Sequence, residues 1–169
     1  MRYECMVGFI KRPAGLTKGR GMTKKSDFTE QEWELVREGP PIAGLIAATA
    51  SSGGTFRESW ALAKSFAEAR KQHGESELLD ALVAEKPHAK RYGSSQELQQ
   101  QGLERLGQAV GLLEQKASAD EVDAYRRFTL AVAEHVAEAH KEGGAPVSAE
   151  ERQAIDSIAA TVKSSSGPG

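Results

Sequence analysis

From residue 28 onward, apolar side chains recur at steps of three and four, and most runs open with a hydroxyl residue followed by a glutamate three positions on. The pairs are Thr29/Glu32, Thr55/Glu58, Ser94/Glu97, Ser118/Glu121 and Ser148/Glu151. In a capping box the hydroxyl oxygen accepts from the backbone N–H three residues later, and the carboxylate accepts from the N–H of the cap residue. Donors that a first helical turn would leave unpaired are then satisfied. Phe28 and Trp33 stand at the positions of a hydrophobic staple across the first of these starts.

The runs behind the caps read as helical faces. Ile42, Leu45, Ile46 and Thr49 form one; Phe56, Trp60, Ala63 and Ala67, widened by Leu62 and Phe66, form the next. Leu78, Leu79, Leu82 and Val83 follow Ser76, and Leu103, Leu106, Val110 and Leu113 line a further stripe. Val122, Tyr125, Val132, Val136 and Ala139, with Phe128 beside them, precede a last stripe of Ile155, Ile158, Ala159 and Val162. Each stripe must be buried against another helix. Breakers fall between them: Gly39, Pro40 and Pro41 end the first helix and start the second, and Gly53 and Gly54 end the second. Gly74, Pro87, Gly93, Gly143, Gly144 and Pro146 punctuate the rest. No stretch alternates with the period of a strand. The pattern predicts an all-α, single-domain bundle of about seven helices over 28–164, with 165–169 a flexible C-terminus. Gly107 and Gly111 share one helical face, where another backbone is expected to approach closely.

Composition narrows the classes. A chain of 169 residues holds one domain and needs no disulfide to keep a core. Its 39% hydrophobic and 27% charged residues fit neither a disordered chain nor a membrane span. The single cysteine, Cys5, excludes an internal disulfide and a multi-cysteine zinc site. The mostly apolar run 41–50 is too short for a bilayer, which takes about 20 residues. Residues 1–27 have no signal-peptide pattern, so a cytoplasmic location is expected. Net charge is -2, but residues 1–25 carry seven bases against one acid. Residues 1–27 are expected to form a flexible basic tail, and nucleic acid is not expected as a partner except through that tail.

Candidate chemistry is sparse. Ser52, Gly53, Gly54 and Thr55 precede a helix start, where free N–H groups hold anions, and Arg57 adds charge. His135 and Glu138 stand at i, i+3, but the order is the reverse of the Glu-x-x-His pairs of carboxylate-bridged metal bundles, and no second copy occurs; Glu85 and His88 have the letters of such a pair but are interrupted by Pro87. No metal ligand, cofactor or catalytic residue is assigned. The block 86–91, with Lys86, His88, Lys90 and Arg91, reads as a small basic loop.

Two stretches carry a resemblance. FTEQEW at 28–33, running on to Gly39 and Pro40, resembles the opening of small bacterial helical proteins. YRRF at 125–128, VAEHVAEA at 132–139, EGG at 142–144 and VSAEE at 147–151 resemble the C-terminal half of TerB-like proteins, a helical group associated with tellurite resistance and stress responses. The resemblance implies acidic, metal-binding residues in the turn after the second helix. Here that turn, 50–55, has no carboxylate, so no ligand is carried over. The expected function is a non-enzymatic helical interaction or stress-response module, with a protein partner or self-association and no membrane. The alternative is a small-molecule or anion binder using the turn 51–55.

Overall fold

The first helix, α1, spans Glu30–Ala50 and forms the axis of the molecule in this computed structural model. Residues 38–44 are buried without a break, so this part of α1 has neighbours all round. It packs chiefly on α4 (Ser95–Lys116) and α5 (Ala119–Lys141), with α6 (Ala149–Ser164) closing the remaining side. The helix α2 (Thr55–Lys71) lies against α5, and the short α3 (Glu77–Ala84) bridges α2 and α5. The structure describes residues 23–50, 55–71, 76–141 and 147–164, and among them no strand occurs. None of these helices is long and apolar enough to cross a membrane. The all-α bundle is as expected.

The helix count differs by one for a physical reason. Six α-helices are present among the described residues, because the two predicted on either side of Gly39, Pro40 and Pro41 are one. Pro40 has no N–H, so the carbonyl of Val36 loses its helical partner. The Tyr125 hydroxyl on α5 donates to that carbonyl at 2.7 Å and replaces the missing bond. Gly39 eases the same spot twice. It lacks the Cβ that would press on the Pro40 ring, and a Cβ there would overlap the Tyr125 hydroxyl. Burial pushes the Tyr125 phenol far above its usual range, so it stays a donor.

The capping boxes are built largely as read. Thr29 and Glu32 exchange both bonds, at 2.8 and 3.2 Å, and Ser148 and Glu151 do so at 2.6 and 3.1 Å. Ser118 and Glu121 exchange theirs at 3.0 and 3.3 Å. At Ser94 the hydroxyl accepts from Glu97 N, but the Glu97 carboxylate accepts from Gly93 N instead. Ser76 caps α3. The Phe28 and Trp33 rings meet at 5.7 Å as a staple requires. The side chains of Thr55 and Glu58 lie outside the described residues.

Two expected faces shift. Among the described side chains of α2, Ser65 and Phe66 are buried and Leu62 is half-buried, while Ala63 and Ala67 are exposed; those of Phe56 and Trp60 lie outside the described residues. Phe66 meets Phe128 of α5 edge-on at 5.2 Å, which fixes that orientation. The close approach expected at Gly107 and Gly111 occurs at Gly102 instead. A Cβ there would sit 2.9 Å from Ile42 Cγ2, whereas Gly111 faces open space.

Candidate functional site

Between α3 and α4 the residues 85–94 run as a strap beside α1. Successive residue pairs of α1, each one helical turn apart, meet successive residues of the strap. Trp33 Nε1 and Arg37 Nη1 donate to the two oxygens of Glu85, at 2.9 and 2.8 Å. Lys25, from the 3-10 turn Lys25–Asp27 ahead of α1, pairs with the same carboxylate. Its hydrogen bond, more than offsetting burial, holds the Glu85 carboxyl below the ordinary range. Glu85 therefore anchors the start of the strap.

The next pair on α1 is Glu34 and Glu38, and it meets His88. The three side chains place one ligand atom each, a carboxylate oxygen or a ring nitrogen, within 4.8 Å of one another. Glu38 is only 3% exposed, while Glu34 and His88 are at the surface. Arg105 on α4 holds Glu38 through Nε, at 2.9 Å, and through Nη2, both on Oε2. The Tyr92 hydroxyl, further along the strap, is buried with no hydrogen-bond partner among the described residues. Burial raises its pKa, and it stands close enough to Glu38 and Arg105 to feel both charges.

The other buried carboxylates serve structural contacts. Glu121, 1% exposed, accepts from Ser118 and also from the backbone N and hydroxyl of Thr23, at 3.0 and 2.7 Å. Burial alone would raise its pKa, but these hydrogen bonds outweigh that and hold it below the ordinary range. One oxygen of Glu151 accepts from Ser148 N, and the other is buried without a partner among the described residues.

A cleft of about 340 Å³ lies between the end of α1 and the first turns of α4 and α6. Thr49, Ser95, Gln96 and Gln153 line it, and Glu150 is its one charged group. Ala50, the last described residue before the expected anion site, also lines it. Ser52, Gly53 and Gly54 lie outside the described residues, as do the side chains of Thr55 and Arg57, although both belong to α2. Of the residues weighed for metal, His135 and Glu138 are exposed, and His135 Nδ1 lies 3.1 Å from Ser65 Oγ. His88, read as part of a basic loop and set aside with Glu85 as a proline-interrupted pair, is among the described residues the histidine that gathers with two carboxylates. The i, i+4 spacing of Glu34 and Glu38 was visible in the sequence, but nothing local joins it to residue 88. No protein family, curated protein or solved structure matches this chain.

Proposed function

We propose that this chain is a non-enzymatic helical binding module with a stress-response role, acting through the seam between α1 and the strap 85–94. One observation carries the reading. Among the described residues the buried carboxylates Glu121 and Glu151 are engaged in caps and Glu38 in an ion pair, while the exposed Glu34 and His88 come together with Glu38 at the seam. The interior then acts as scaffold, and the strap presents the ligand-receiving groups. The TerB-like stretches supply the expectation of a stress-related role.

The test is survival of a strain lacking the chain under tellurite and under peroxide. Reduced survival that the wild-type gene restores is the expected outcome; equal survival under both challenges removes the stress-response reading. A single substitution that abolished restoration while leaving melting temperature and binding unchanged would mark a reacting group and overturn the non-enzymatic half.

A further inference from the structure

We propose that Glu34, Glu38 and His88 form a binding site for a first-row divalent transition-metal ion, clasped between α1 and the strap. The inference deepens the reading of this seam as the binding surface, and rests on it for its biological use. Its chemistry stands on three ligand atoms gathered within 4.8 Å.

Two carboxylates one helical turn apart repel each other when nothing lies between them. Among the described residues Glu34 has no cationic partner, and Glu38 has Arg105 alone, with both guanidinium contacts on Oε2. Oε1 is thereby left to ligate, while Arg105 fixes the carboxylate. This is the orienting task that outer-sphere partners perform around metal ligands. The repulsion is relieved by a cation, and the imidazole selects its class. Magnesium and calcium are held by oxygen sets. A mixed carboxylate and imidazole set suits manganese, iron, cobalt, nickel or zinc.

The elements are suited to the task. Glu34 and Glu38 sit on a helix whose next turn is packed on every side, so their spacing is fixed. His88 follows Pro87, which stiffens the backbone, and Glu85 already pins the strap three residues earlier. Three protein ligands leave positions for water or for a donor brought by a partner, and the exposure of Glu34 and His88 keeps those positions reachable. This set lies on the first helix and the strap, away from the carboxylate-free turn 50–55.

The experiment is calorimetric titration of the full chain with zinc, manganese and magnesium chlorides, alongside His88→Ala and Glu34→Gln. Both substitutions are at exposed positions and are expected to leave the metal-free melting temperature unchanged. Glu38→Gln is avoided because it would also break the Arg105 pair. The expected result is one zinc site per chain, magnesium weaker by about tenfold or more, and a loss of about 100-fold or more in zinc affinity in each variant, at or above the top of the range that outer partners alone reach. Manganese should broaden the amide NMR signals of residues 34, 38 and 88. Zinc binding that both variants leave intact overturns the site, as does magnesium binding as tightly as zinc, or an absence of binding. If the ion fails while the deletion strain still loses stress survival, the inference falls and the functional reading stands.

Discussion

The hydroxyl of Tyr125 occupies the space that a side chain at Gly39 would need, and from there it donates to the Val36 carbonyl at 2.7 Å. One contact thus accounts for a glycine, a buried phenol and the bond that the helix loses at Pro40.

Tyr125→Phe leaves the Val36 carbonyl buried and unpaired, since Pro40 cannot serve it, and should cost about 1–3 kcal/mol. Gly39→Ala forces the ring to shift and should cost about 1–3 kcal/mol despite the better helix propensity of alanine. In the double variant the two costs should fall short of their sum by at least about 0.5 kcal/mol, as expected for groups in contact. Urea denaturation of the four proteins checks the cycle; strict additivity would refute the shared space.

The two glycines of α4 should respond in opposite directions. Gly111→Ala meets nothing within 4 Å and should stabilise by about 0.5–1 kcal/mol. Gly102→Ala drives a methyl to 2.9 Å from Ile42 Cγ2 and 3.3 Å from Ile46 Cδ1, and should destabilise by about 1–3 kcal/mol. Melting curves of the pair decide the matter, and a shift of the same sign in both would contradict the packing described.

Glu121 makes folding sensitive to acid. Its pKa is lower in the folded chain than the ordinary value of 4.5. The stability it contributes is therefore complete well above pH 4.5 and is lost as pH falls through the lower, folded value. Glu121→Gln should cost about 1–3 kcal/mol at pH 7, because its bonds from Thr23 and Ser118 are weakened. The same variant should flatten the decline in stability between about pH 5 and pH 3. Denaturant midpoints across that window measure both effects, and an unchanged acid slope would deny Glu121 the role.

Arg105→Gln leaves the Glu38 carboxylate buried without its cation. A loss on the order of 2 kcal/mol is expected, the scale of a hydrogen bond to a charged group. Chemical denaturation at neutral pH provides the check, and a loss below about 0.5 kcal/mol would mean that solvent already screens the pair.

The parts of this fold that could be read from the sequence are those held by local chemistry. A capping box closes over three residues, so Thr29/Glu32, Ser118/Glu121 and Ser148/Glu151 announce their helix starts without help from the rest of the chain. The fused α1 was not readable in this way. The donor that replaces the missing Pro40 N–H stands 89 residues from its acceptor. The same holds for the seam: Glu34 and Glu38 are a plain i, i+4 pair until the strap brings His88 to them. On α2 the expectation is met at Phe66 and Leu62 but not at Ala63 and Ala67, because alanines at helical spacing carry little weight against one aromatic contact, that of Phe66 with Phe128.

The encircled stretch 38–44 also sets an order of events at the ribosome. This helix is made before its cover, since α4 and α5 are not complete until residues 116 and 141. At translation speeds of roughly 5–20 residues per second, its oily surface stands bare for roughly 5–20 s. The nascent chain thus presents a sticky rod until residue 141 has been made, and only then can the rod be fully buried. Chaperone dependence of the yield should consequently track the speed of elongation.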